Sequence, residues 1–163
     1  MKNSALKRFV RTAMFAALAT VLTLFPQIPT GTGYVHFGDS IIYLASIFFG
    51  PIPGAIVGAV GHSLADLISG YPIYIIPTFC IKGLIGYTVG KIAYKNHDAM
   101  HFALAAADAL VIVTLGYFIS EIPMYGIASA AHVFISSPVQ WLMSVVASAI
   151  LIPILSKILK KIK

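Results

Sequence analysis

Five side chains that can do chemistry stand inside apolar runs or at their ends: Lys82, Asp39, Asp66, Glu121 and His62. A charge at the centre of a membrane helix costs on the order of 2.5 to 3.5 kcal/mol on insertion scales, so it is retained where it pairs or serves a site. Lys82 therefore snorkels to the surface, pairs with a carboxylate or contacts a ligand. His62 lies four residues before Asp66 and on the same helical face, which offers half a metal site, a ligand contact or a packed hydrogen bond. Zinc takes three or four ligands, and the chain has neither HExxH nor a Cys/His cluster, with Cys80 its single cysteine; no metal site is expected. Asp39 is placed either to cap a helix or to meet a ligand. His132, Ser136 and Gln140 recur every four residues with Trp141 alongside, and because unpaired polar groups in hydrocarbon cost several kcal/mol, that stripe should face a bundle interior. Gly61-His62-Ser63 is a faint trace of a serine nucleophile, but Gly-x-Ser-x-Ala lacks the second glycine of an elbow and falls mid-helix. No catalytic residue is assigned, and an enzyme is not expected.

The elements that must position these groups are apolar. Of 163 residues, 59% are hydrophobic and 10% charged, against roughly a quarter charged in a soluble domain, and a span takes about 20 residues. A water-facing globule is excluded, and so is a soluble catalytic domain beside the spans. The expectation is an all-α integral membrane fold, a single membrane domain over residues 1–163 made of six transmembrane helices. The first runs from about Phe9 to Phe25 and is read as a retained helix, since no small-x-small cleavage site precedes Pro26; Pro26, Pro29, Gly31 and Gly33 then form a loop. A short second helix over about 40–50 meets a third over about 54–69 at Gly50-Pro51-Ile52-Pro53-Gly54, and either spans or dips as a re-entrant hairpin. A loop from Gly70 to Pro77 leads to a fourth helix, about Thr78 to Tyr94. The polar KNHDAMH segment precedes a fifth, about Phe102 to Ser120, closed by Glu121, Pro123 and Gly126. The sixth runs from His132 or Pro138 to Leu159, with a kink expected at Pro153. Small-residue pairs, Gly54/Gly58, Gly86/Gly90 and Ala105/Ala109, suit close helix approach.

Charge orients this path. The net charge is +6. With six crossings and a cytoplasmic N-terminus, Lys2, Lys7, Arg8, Arg11, Lys91, Lys95, Lys157, Lys160, Lys161 and Lys163 all fall inside, as the positive-inside rule requires; both termini are then cytoplasmic. The basic balance thus marks topology and gives no reason to expect nucleic acid. Lys82 is the one cation left over, near the outer end with Asp39, Asp66 and Glu121. The outer loops carry Tyr34, His36, Phe37, Tyr71, Tyr74 and Tyr125 in place of charges, either as an interfacial belt or as a stacking surface for a planar ligand.

Residues 31–92 resemble the substrate-binding S components of energy-coupling factor (ECF) vitamin transporters. The resemblance rests on the GDS that opens the second helix, the GP turn, the G-x-x-x-A-D-L-x-x-G run that ends the third, and the T-F-x-x-K-G start of the fourth. Ala13 and Ala17 in the first helix resemble the small-residue motif by which S components dock on a transmembrane coupling subunit; contact with a neighbouring helix of the same chain is the other reading. The resemblance implies a multi-pass protein of a prokaryotic cell membrane that captures a vitamin outside and docks on a coupling subunit and two ATPases. The chain has no GxxxxGK[ST] loop, so no cofactor is expected in it and ATP would be used by the partners. Family precedent puts the ligand near the outer ends of the last three helices. That selects Lys82, Glu121, Tyr125, Gln140 and Trp141 as contacts, Lys82 and Glu121 foremost, with Tyr34, His36, Tyr71 and Tyr74 as a lid and Asp39 and Asp66 as contacts or polar support.

Three carboxylates against one ammonium would repel a polyanionic vitamin such as folate. The motifs look closest to S components for hydroxymethylpyrimidine or vitamin B6 vitamers, followed by riboflavin and thiamine. A stand-alone homo-oligomeric carrier is the competing class, although a pore should repeat polar faces along several helices, whereas here the cytoplasmic half is apolar.

Overall fold

In the computed structural model, which describes residues 2–29, 34–96 and 98–162, the shortest of the long helices is the most enclosed. Helix α2 (Asp39–Phe49) is buried from Asp39 through Ile47. A helix that is apolar all round belongs inside a bundle, and at 11 residues it is about 16 Å long, too short to cross the hydrocarbon alone. One face, Ile42, Tyr43 and Ile47, packs with Ile81, Ile85, Val89, Ala105, Ala106 and Ala109. The other, Ile41, Leu44 and Ala45, packs with Ala16, Ala19 and Val57.

Around it stand α1 (Lys2–Leu24), α3 (Pro51–Ile68), α4 (Ile75–Ala93), α5 (Ala99–Tyr125) and α7 (Val133–Ile162), with a short α6 (Ile127–Ala130). Helices α3, α5, α7 and the segment Pro72–Ala93 are long and apolar enough to cross a membrane. Side chains such as Leu104, Val111, Leu115, Ile119, Ile135, Leu142 and Val146 are exposed on their outer faces, the distribution a lipid solvent selects. Where helices meet, glycine lets backbones touch: a Cβ on Gly86 would collide with the Gly54 carbonyl, and one on Gly58 with the Lys82 carbonyl.

Several boundaries differ from the sequence expectation. The break between α2 and α3 is Gly50 alone, at φ +100°, because Pro51 and Pro53 fall in the first turn of α3, where a missing N–H costs nothing. Helix α5 continues through Pro123 to Tyr125 and stops at Gly126 with φ +81°, so Glu121 lies within the helix and does not close it. Its start is capped by Asp98, whose carboxylate accepts from the His101 backbone N–H at 3.0 Å. The last long helix begins at Val133, after α6, and runs unbroken past Pro138 and Pro153. In the first loop β1 (Ile28–Pro29) pairs antiparallel with β2 (Tyr34–Val35); the expected loop residues Gly31 and Gly33 lie outside the described residues, as does the terminal Lys163 of the basic tail.

A candidate ligand-binding site at the outer end

Two buried polar centres lie at the end that the charge pattern places outside, one beneath the other. The deeper one is built on Asp39. Lys82 Nζ donates to both of its carboxylate oxygens, at 2.8 and 2.7 Å, and Gln140 Nε2 donates to Oδ2 at 2.8 Å. His62 Nε2 lies 3.1 Å from Oδ1 without hydrogen-bond alignment. Helices α2, α3, α4 and α7 are thus joined at one carboxylate. Lys82 is 1% exposed, with its ammonium 5.5 Å from the centre of the Tyr117 ring, within cation–π range. A buried pair of this kind adds little stability over an apolar substitute, but loss of one partner strands the other charge at about 3 to 5 kcal/mol.

Above it opens a cavity of about 580 Å³, open solvent at its mouth included, with walls from β2, the loop after α3, and α3, α4, α5 and α7. Tyr34, Tyr71, Tyr74 and Tyr117 line it, together with Asp66, Glu121, His36, Thr78, His132, Ser136, Ser137 and Gln140. The rings form a chain: Tyr34 and Tyr71 have centroids 5.4 Å apart, Tyr71 and Tyr74 6.4 Å, and Tyr74 and Tyr117 6.3 Å. Two hydrogen bonds pin the first loop over this end: Gln27 Nε2 donates to Ser69 Oγ at 2.8 Å, and the Tyr34 hydroxyl donates to Asp66 Oδ1 at 2.8 Å. Burial, reinforced by the Asp66 carboxylate, holds the Tyr34 phenol above its ordinary range, so it remains a donor. Burial likewise holds His36 below the ordinary range for histidine, with His62 and Lys82 adding to the effect against Asp39.

The cavity's carboxylates are not equivalent. Glu121 accepts from the Tyr74 hydroxyl at 3.0 Å through Oε1 and lies 3.4 Å from His132 Nδ1 through Oε2. Asp66 has a donor on Oδ1 only; its Oδ2 is buried without a hydrogen-bond partner. A buried acceptor left so costs about 1 to 3 kcal/mol, more when charged.

Of the residues picked out from sequence, Glu121, Gln140, Tyr34, His36, Tyr71, Tyr74 and Asp66 line the cavity. Four others stand elsewhere. Lys82 is not on the wall, because both Asp39 oxygens hold its ammonium below it. Asp39 is in that lower centre too, and caps nothing: Gly38 stands at the cap and Asp39 is the first residue of α2. Trp141 turns toward α5, where Nε1 donates to the Ala106 carbonyl at 2.7 Å. Tyr125 is 38% exposed and touches the site only through Tyr74, 6.2 Å away. His62 faces Asp39, while Asp66 turns to Tyr34; sharing a helical face did not pair them. The stripe of His132, Ser136 and Gln140 does face the interior, on the cavity wall.

Tyr117, Thr78 and Val113 were missed. The signal was present in α5, where Val113, Tyr117 and Glu121 recur every four residues and so share a face. Ala13 and Ala17 are exposed on α1, and it is Ala16 and Ala19 that meet the chain's own helices.

His36, Asp39 and His62 bring ligand atoms within 4.8 Å of one another, a spacing that can hold a metal ion. Here the Lys82 ammonium already engages both Asp39 oxygens, so a second cation at that point would meet like charge.

Comparison with known proteins gives a consistent picture. The family model of the ECF-type riboflavin transporter S component matches residues 3–161. The thiamine precursor transporter HmpT of Lactococcus lactis is 32% identical over 161 residues, 96% of this chain and 92% of that protein. An uncharacterized protein of Pyrococcus woesei is 35% identical over 123 residues, 76% of this chain and 82% of that one. The solved structure of an S component of a bacterial ECF transporter superposes with a TM-score of 0.75 at 24% identity, over 98% of this chain and 99% of that chain; this likeness establishes the fold.

Proposed function

We propose how ligand capture works in this chain, which belongs to the family of ECF-type riboflavin transporter S components: a small water-soluble vitamin or vitamin precursor enters the outer cavity and is held between tyrosine rings, Asp66, Glu121 and Gln140. The chain is a multi-pass membrane protein and the substrate-binding component of a transporter, a role that calls for a binding site and no chemistry. The observation that carries the reading is the cavity itself. Pockets of this kind are mostly apolar or aromatic with a few convergent polar groups, and here tyrosine rings, Asp66, Glu121 and Gln140 converge on one cavity.

A pyridoxine-like or hydroxymethylpyrimidine-like heterocycle is the ligand that suits tyrosine faces with two carboxylates. The likeness to a thiamine precursor transporter supports it. Riboflavin is the second reading, favoured by the description of the matching family.

Delivery inward requires partners: a transmembrane coupling subunit and two ATPases, which would hydrolyse the ATP. The exposed Ala13 and Ala17, in a field of exposed Phe9, Val10, Met14, Leu18 and Val21 on α1, support docking through that helix. Vesicle reconstitution tests the whole reading. Uptake of labelled vitamin should need the coupling subunit, the ATPases and ATP, with the chain alone giving binding only. Sustained uptake by the chain alone would identify a self-sufficient carrier instead.

A further inference from the structure

Asp66 is 7% exposed and lies on the cavity wall, and its Oδ2 is buried there without a hydrogen-bond partner. A buried polar atom left this way in a well-packed protein calls for an explanation. Of the neighbouring hydroxyls, Thr78 stands close to Asp66 but is paired with Tyr117 at 3.0 Å and closes no hydrogen bond on Oδ2, and Ser63 donates to the Ile75 carbonyl at 3.0 Å. Nor does the wall supply a permanent positive charge: its basic rings are His36, which burial holds below the ordinary range, and His132, which lies beside Glu121. No lysine or arginine is among the described residues of the wall, and Lys82 is bound to Asp39 beneath it. The cavity therefore offers two carboxylates, tyrosine faces and one open anionic acceptor.

What complements such a wall is a flat ring that brings its own N–H and a share of positive charge. A hydrogen bond with an ionised partner is roughly twice as strong as a neutral one, a cationic donor also balances the buried carboxylate, and aromatic faces favour a cation further. We propose that Asp66 determines ligand specificity, its Oδ2 accepting a hydrogen from the ring nitrogen or exocyclic amine of a protonatable nitrogen heterocycle, the class of aminopyrimidines and basic pyridines. This rests on the capture of a vitamin-like ligand in the same cavity and narrows it. Rings whose N–H stays neutral keep a hydrogen bond to Asp66 but do not balance its charge and bind more weakly, and ligands that carry carboxylate or phosphate are repelled.

Calorimetry on the full chain purified in detergent decides the matter with five probes: 4-amino-5-hydroxymethyl-2-methylpyrimidine, its 4-oxo analogue, pyridoxine, thiamine and riboflavin. At least one of the three basic probes, aminopyrimidine, pyridoxine or thiamine, should bind tenfold or more tighter than both the oxo analogue and riboflavin. In Asp66→Asn that preference should vanish. Riboflavin or the oxo analogue binding as tightly as the best basic ring would overturn the proposal and leave vitamin capture standing; so would a preference that survives in Asp66→Asn. If none of the five binds, vitamin capture falls with it. The ranking in the wild-type chain needs no variant, so a poorly folded Asp66→Asn leaves the proposal decidable.

Discussion

Asp39 and Asp66 are buried to nearly the same extent, 6% and 7% exposed, near the outer ends of adjoining helices, yet their surroundings differ in kind. Asp39 receives three hydrogen bonds from a lysine and a glutamine on two other helices, and every partner is part of the chain. Asp66 receives one, from a loop tyrosine, and keeps one buried oxygen without a donor on the wall of a cavity. Depth of burial alone therefore says little about what an acid does; the balance of donors around it separates a joint of the fold from a receptor for something outside it. The sealed centre joins the helices, and the other is the place proposed for a ligand's donor.

Removing one partner of the sealed centre should give the largest effect. Lys82→Met or Asp39→Asn should each lower stability by about 3 to 5 kcal/mol, read from unfolding in detergent micelles, while the double variant costs less than the sum of the two. Additive losses would mean that the two side chains do not act as a pair. Next is Gly58→Ala. Its new methyl meets the Lys82 carbonyl and should push α4 away, at about 1 to 3 kcal/mol for an overpacked contact; an unchanged unfolding midpoint would show that α3 and α4 can part freely there. Asp66→Asn should invert the pattern, losing tenfold or more in ligand affinity, about 1.4 kcal/mol, with stability held within about 1 kcal/mol. Smallest is Trp141→Phe, which gives up the hydrogen bond to Ala106 for about 1 kcal/mol of stability and leaves ligand affinity unchanged. A loss of affinity comparable to that of Asp66→Asn would put Trp141 back in the site.

How much of this was legible in the sequence depends on the range of the interaction involved. The six principal helices follow from apolar runs, a local property, and they hold against the fold, with four of them long and apolar enough to cross a membrane. The polar stripe of His132, Ser136 and Gln140 was readable for the same reason, since a single helix fixes its face. The pairing of Lys82 with Asp39 was not, because 43 residues separate them and nothing local says which of three carboxylates a lysine will meet. The same gap left the partner of His62 undecided, because sharing a face with Asp66 counts for less than the approach of α2. Tyr117 was missed because LGYFIS reads as ordinary span, and its role shows only when its register with Val113 and Glu121 is combined with the position of α4. Pro123 reads as a stop for α5 in sequence, but one lost donor near a helix end is tolerated, and the positive-φ backbone at Gly126 is what ends it.

The central claim is that an open acid above a sealed one makes a binding site, and mass spectrometry of small molecules released from the purified chain tests it most directly. The wild-type protein should release a nitrogen heterocycle of vitamin or vitamin-precursor class, near one per chain, and folded Asp66→Asn prepared in parallel should release far less. Equal amounts from the two, or a released compound without a basic ring nitrogen or amine, would contradict the account.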